Sequence, residues 1–422
     1  MSDPNYAHHF SERNIPFGIG SSAQFTSPQA VTRIQNTVIS LSALHRHGFF
    51  KQISETELPE AALTSTTLNQ FAALPKSTHR VVQQTIRDAY TAKAFDAFPD
   101  EAKEELGSVT LHLPVQIGDF TDFSCSLEHV KNAGRIVVNN ANPPPAFFQL
   151  PVGYQGRCGS ILVSGTEIER PIGQFRSRPA PGSNEPVKIL CGPSRAVDYE
   201  VELAAIVGKP LPMRKRLDAK DAEEHIFGYA LFNDWSARDI QGLEMVPLGP
   251  LNGKSFGTSI SPWIVTLDAL HPHKASVPQP AHAPNGIPSY LQDPDNSSHD
   301  ITIRVEVLAG KEKQATVTGT TKVQSMYWTP KQMLAHLASS GSALRTGDIA
   351  ATGTVSGETR ETLGSLLEAT NGGTDPVKLS DGTERGYLQD GDSVRLVGWA
   401  GGEDSGVGFG ECIGELVAAQ PL

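Results

Sequence analysis

The sequence predicts a mainly β protein in two units, a smaller one over residues 1–115 and a larger one over 116–422. Three observations carry this. Glycine and proline account for 39 and 30 of the 422 residues, a composition that favours strands, turns and long loops over helical bundles. From about Leu113 onward, short apolar runs are broken repeatedly by Gly and Pro, as in strand-rich domains. The length is enough for more than one folded unit and a sizeable core.

In the first unit, Asn36–Phe50 begins as a strand and turns helical. Thr78–Phe95 places Val81, Val82, Ile86, Ala89 and Tyr90 at helical spacing and predicts an amphipathic helix. His45 and His47 have no ligand pattern around them and are read as surface or packing residues. In the second unit, Arg176–Val187 and the Pro- and His-rich stretch His271–Tyr290 are read as long loops. A short helix is predicted at Thr329–Gly341, with Pro330 in its first turn and Gly341 past its end. No internal repeat is evident.

Composition excludes several function classes. With 38% hydrophobic and 19% charged residues the chain is globular. A net charge of −11, without a basic run or an aromatic stacking platform, argues against nucleic acid and against anionic membrane surfaces. Cys125, Cys158, Cys191 and Cys412 lack Cys-x-x-Cys spacing, so neither a disulfide framework nor a zinc site is indicated. The N-terminal residues lack a signal-peptide pattern, no apolar stretch is long enough to span a bilayer, and AAQPL is not a peroxisomal signal. A cytoplasmic location is expected.

The most informative segment is DYEVELAAIVG (Asp198–Gly208), followed by FNDWSARDIQG (Phe232–Gly242). Glu200 and Glu202, spaced i, i+2 in an apolar run, project from one face of a strand. Asp234 adds a third carboxylate at the end of the apolar run HIFGYALFN. Carboxylates that converge on apolar ground repel one another unless a cation sits between them. Oxygen ligands without nearby His or Cys suit Mg²⁺ or Ca²⁺ over zinc. Such a pair can also face solvent on a half-exposed sheet, so the surrounding motifs decide.

Four further clusters supply them. HLPVQIGDFTDFSCSLEH holds Asp122, placed in a turn, and His129 seven residues on; a turn Asp is often only a cap for free backbone N–H groups. LPVGYQGRCGSILVSG holds Tyr154. NDWSARDIQGLEMVPLGPLNGKSFGTSISPW holds Arg238 and Gln241 one helical turn apart, with Lys254, Gly257 and Thr258. GDIAATGTVSGETRETLGSLLEAT holds Thr354 after a strand and Glu368 further on.

Together these stretches resemble the fumarylacetoacetase family over nearly the whole chain; RNIPFGIG, YALFNDWSARDIQ and VPLGPLNGKSFGTSISPW carry the likeness. The resemblance implies a small SH3-like β-domain followed by the family's mixed β-sandwich roll, and a homodimer. It implies metal ligation by Asp122, Glu200, Glu202 and Asp234, with Lys254, Gly257 and Thr258 beside the ion. It places the catalytic histidine at His129 and its partner at Glu368. Arg238, Gln241 and Lys254 fall on the polar cradle for the substrate and the departing carbanion, and Tyr154 and Thr354 on substrate contacts. The implied activity is metal-dependent hydrolysis of a C–C bond in a 1,3-diketone, either fumarylacetoacetate in tyrosine and phenylalanine catabolism or a related diketone. The alternative is a relative acting on another diketone or a β-keto acid, including decarboxylase and keto–enol isomerase chemistry.

Three positions depart from the family's pattern. Ser124 and Met245 stand where it has tyrosines, and Val138 stands where it has an arginine. All three belong to the grip on the substrate, and their loss should weaken the hold on a carboxylate tail. Arg135 stands three positions before Val138 and would need a shifted loop to take the arginine's place.

Overall fold

The computed structural model describes residues 4–177, 185–277 and 286–421. The mainly β expectation holds. The first unit is built on a five-stranded antiparallel sheet in the order Lys103–Glu105, Thr37–Ser40, Gln29–Ile34, Phe17–Ser21, Thr110–His112. Asn36–Phe50 does turn from strand to helix, with Ser40 accepting from the Ala43 N–H as the cap of Leu41–Arg46. The predicted amphipathic helix spans Lys76–Lys93 and buries Val82 and Ile86, whereas Val81 is exposed.

The second unit wraps two sheets around one core. The larger, eight-stranded and mixed, runs Gly153–Gln155, Phe120–Phe123, Ile349–Ala351, Val201–Val207, Ile226–Asn233, Thr258–Ile260, Ile161–Val163, with Val265–Thr266 also paired to Ile226–Asn233. The smaller runs Gln314–Lys322, Ile301–Ala309, Ser393–Ala400, Gly408–Val417, Ile168–Glu169. Alternation along Val201–Val207 shows how the layers meet. Val201, Leu203, Ala205 and Val207 face the core shared with Ile303, Val305 and Leu396 of the smaller sheet. Ala204 and Ile206 face a second core shared with Phe17, Ile19 and Ile39 of the first unit. The first unit therefore has no separate interior. Its sheet closes over the back of the larger one, and the strand between them is apolar on both faces because it is covered on both.

Two local readings change, those of Asp122 and of His271–Tyr290. Asp122 lies on the strand Phe120–Phe123, not in a turn, because Phe120, Thr121 and Asp122 pair in parallel with Ile349, Ala350 and Ala351. The Arg176–Val187 segment links the paired strands Ile172–Arg176 and Ile189–Pro193, and its residues 178–184 lie outside the described ones. His271–Tyr290 is not loop throughout: His271–His273 is a helical turn, and Lys274–Ser276 pairs with Ser297–His299. Residues 278–285 lie outside the described ones. The helix predicted near Thr329 spans Pro330–Ser339, with Thr329 and Gln332 in a reciprocal capping box.

Candidate active site

The carboxylates that the sequence separates by more than a hundred residues meet at one end of the larger sheet. Asp122 comes from the strand next to the sheet's edge, Glu200 and Glu202 from the start of the doubly covered strand, and Asp234 from the end of its neighbour. All four are buried, and one oxygen of each lies within 4.8 Å of the others. They stay close because the strands are in register: Val201 pairs with Asn233, so Glu200 and Asp234 sit side by side at the sheet edge.

One ammonium reaches into this cage. Lys254 Nζ pairs with Asp234, donates to Glu200 Oε2 at 2.6 Å and to Ser236 Oγ at 3.0 Å, and stands 3.9 Å from Asp122. Thr258 donates to the other Asp234 oxygen at 2.7 Å. Arg238 donates to Glu200 Oε1 at 2.5 Å and stands 3.3 Å from the Gln241 amide oxygen, as their helical spacing predicts. Burial would raise the Glu200 carboxyl, but Lys254 and Arg238 outweigh it and hold it well below the usual carboxylate range. Asp122 is pushed up to about 8, by burial first, with Lys254 opposing and Asp234 and Glu200 adding.

Glu202 is different. Both of its oxygens are buried, and among the described residues none donates to them. Burial, then the neighbouring Asp122, Asp234 and Glu200, hold its carboxyl proton far above the ordinary range. One ammonium and a shared guanidinium cannot balance the four carboxylates once all are ionised, and in that form the donor set fits a hard divalent cation bound through oxygen. Gly257 precedes Thr258 and packs so tightly that a Cβ would come within 2.8 Å of Ile168.

A second group lies beside the cage. His129 is on the helix Leu127–Val138, capped by Ser126, and its Nδ1 is 2.8 Å from Glu368 Oε2. Glu368 is fully buried and accepts further from Ser356 and Ser365 at 2.8 Å each and from Asn132 at 3.1 Å. Burial disfavours the charge on each partner, yet the pair wins: His129 is raised above its ordinary value and Glu368 is lowered. Glu200 and Arg238 also act on His129, so the dyad and the cage share one field.

Tyr154 pairs with Asp122 across the strands, and its hydroxyl is buried with no hydrogen-bond partner among the described residues. Thr354 is buried behind Gly353, whose φ of +70° and contact with the Phe123 carbonyl leave no room for a Cβ. Ser124 is half-buried just past Asp122. Val138 and Met245 are not gathered in: Val138 is 69% exposed at the end of its helix and Met245 43% exposed at the end of the Arg238 helix. Arg135 is exposed on the last turn of the His129 helix.

Residue motifs alone had left out Asp198, Ser356, Ser365 and Asn132. Only Asp198 carried a signal, since it extends the i, i+2 alternation of Glu200 and Glu202 by one step.

With this geometry in place the comparisons are decisive. The family described as Fumarylacetoacetase N-terminal matches residues 13–114, and Fumarylacetoacetate (FAA) hydrolase C-terminal matches residues 119–417. The chain belongs to the fumarylacetoacetase family. Among its relatives is a fumarylacetoacetase of Aspergillus fumigatus, 41% identical over 98% of this chain and 97% of that one. Those of Arabidopsis thaliana and Homo sapiens are each 37% identical, covering 98% and 97% of this chain and 97% and 96% of theirs. A solved fumarylacetoacetate hydrolase of Exiguobacterium antarcticum matches 96% of this chain and all of its own, with a TM-score of 0.51 at 16% identity, which supports the fold alone. The family is metal-dependent, and the buried four-carboxylate cage is where such an ion fits this member. Among the described residues no helix is long and apolar enough to cross a membrane.

Proposed function

We propose that the protein hydrolyses fumarylacetoacetate to fumarate and acetoacetate, a step of tyrosine catabolism. The observation that carries this is the His129–Glu368 dyad at 2.8 Å beside the acidic cage, in a chain matched along its length by fumarylacetoacetases. An isomerase or decarboxylase has no need of a paired base in this position.

With Nδ1 committed to Glu368, the His129 Nε2 takes a proton from water as that water attacks the substrate carbonyl, and Glu368 supports the imidazolium so formed. The C–C bond to the neighbouring carbon then breaks, and its electron pair leaves as an enolate, which a proton completes to acetoacetate. Lys254, Arg238 and Gln241 offer fixed donors to the oxygens on which charge grows, in a site with little water. Asp122, Glu200, Glu202 and Asp234 would hold a divalent cation, Mg²⁺ or Ca²⁺, which when bound would supply Lewis acidity toward the diketone oxygens. Tyr154, Thr354 and the half-buried Ser124 contact the substrate, whereas Val138 and Met245, exposed at helix ends, supply no grip on its tail.

The exposed apolar run of Val246, Leu248 and Leu251 favours a homodimer with a second copy over it. Four free cysteines accord with a cytoplasmic setting.

The test is direct. Purified protein with Mg²⁺ or Ca²⁺ should cleave fumarylacetoacetate, with a raised KM where Ser124, Val138 and Met245 have lost polar grips. His129→Ala should lower kcat by roughly 10²–10⁴-fold. A wild-type protein inert toward fumarylacetoacetate but active on other diketones or β-keto acids would falsify the assignment.

A further inference from the structure

We propose that Asp198 is a positioning residue that locks the His129–Glu368 dyad to the arm carrying Arg238. The inference rests on the hydrolase reading and extends it to a residue outside both the cage and the dyad.

Asp198 has no exposed surface, and its single carboxylate gathers donors from two separate parts of the site. One oxygen accepts from the backbone N–H of Tyr199 and of Leu366, each at 2.8 Å. The other accepts from the Leu367 N–H at 2.9 Å and from Arg238 Nε at 2.9 Å, with Nη2 at 2.8 Å. Leu366 and Leu367 open the single turn Leu366–Ala369, which presents Glu368 to His129. Arg238 reaches from this same carboxylate to Glu200. Asp198 is thus the joint between the segment that orients the base and the guanidinium that faces the cage.

The turn could not hold itself. It spans four residues, too short to be stable alone, and Ser365 is its cap. Arg238 has a parallel need: its Glu200 partner is also a cage carboxylate, so a second fixed anion is required to keep the guanidinium aimed. One buried charge meets both needs, and a tilt of the turn would draw Glu368 away from Nδ1.

Asp198→Asn tests this, because it keeps the volume and removes the charge. Whichever way the amide is turned, its NH₂ confronts two donors that the carboxylate accepted. Second-sphere losses of this kind cost roughly 10–100-fold, so kcat should fall by that factor with KM nearly unchanged. The decisive reading needs no substrate. The groups facing His129 are Glu368, Glu200 and Arg238; if Glu368 is no longer held against Nδ1, the imidazole should titrate at lower pH in NMR than in the wild type. A purely structural Asp198 would lower Tm without moving that titration, and an unchanged His129 titration overturns the proposal. Should the single variant not fold, D198N/R238Q leaves no unpaired buried charge and is compared with R238Q: a lower His129 titration in the double variant supports the joint, and an equal one removes it. Wild-type inactivity toward fumarylacetoacetate would sink the hydrolase reading without touching this result.

Discussion

At Glu202 a carboxyl group without water and without a donor can exist in two ways, protonated or against a cation. Burial and the neighbouring carboxylates raise its proton affinity in the metal-free protein, which favours the neutral acid there. Gln has the same shape and the same neutrality. Glu202→Gln should therefore leave the metal-free Tm nearly unchanged while abolishing the rise in Tm that Mg²⁺ or Ca²⁺ produces. At a concentration one hundred times Kd, a ligand of the folded state adds about 2.7 kcal/mol to the wild type, an effect easily read by thermal denaturation. A full metal response in the glutamine variant would show that Glu202 is not a ligand. The neighbouring Glu200 behaves oppositely, because Lys254 and Arg238 keep it ionised. Identical side chains two residues apart thus do different work, and the difference comes from who donates to each.

At the scale of elements, the turn Asn252–Lys254 decides where the ammonium sits. It rests directly on the helix Arg238–Glu244: a Cβ on Gly253 would come within 2.5 Å of the Gln241 nitrogen, so glycine is required for the approach. Glu244, from the last turn of that helix, accepts the Leu251 and Gly253 N–H groups at 3.0 Å each and holds the turn down. Glu244→Ala should cost about 1 kcal/mol of stability through these partly exposed bonds. Its kcat should fall further than that loss implies, since Lys254 would lose its aim at Glu200 and Asp234. Denaturant unfolding alongside steady-state kinetics checks both, and a variant with wild-type kcat would mean that the turn is held by packing on Gln241 alone.

For the whole molecule, the cage makes stability depend on pH and metal together. Asp122 is raised to about 8 in the metal-free fold against about 3.9 in an unfolded chain. A carboxyl raised in this way contributes stability that is complete below the unfolded value and is lost as pH rises through the folded one. Cation binding requires the ionised form, so it releases protons and strengthens as pH rises. The metal-induced gain in Tm should therefore grow from pH 6 to pH 8. Calorimetry in buffers of different ionisation heat should show proton release on binding, and a gain independent of pH would contradict it. The His129–Glu368 pair adds a second window. His129, raised, gives stability that disappears as pH climbs past its folded value, and Glu368, lowered, gives stability that disappears in acid. The pair thus stabilises most between about 4.3 and 6.5, the two unfolded values.

The sequence by itself determined the mainly β class, through its Gly and Pro content, and the Glu200/Glu202 face, the Arg238–Gln241 spacing and the helices Lys76–Lys93 and Pro330–Ser339, through local spacing and caps; the helix Leu127–Val138 that carries His129 was not among them. Its motifs also reached His129 and Glu368, 239 residues apart, through likeness to a family. Tertiary structure alone decided the rest. That the first unit shares its core with the larger sheet follows from which faces meet, which alternation within one strand does not specify. That Asp122 is a strand residue follows from its pairing with Ile349–Ala351. That Asp198 joins the base to the cage follows from donors at Leu366, Leu367 and Arg238, distant in the chain and assembled only by folding. The chemistry of a carboxylate is fixed by its immediate donors and by its distance from water, and for Asp198 and Glu202 the fold supplies both.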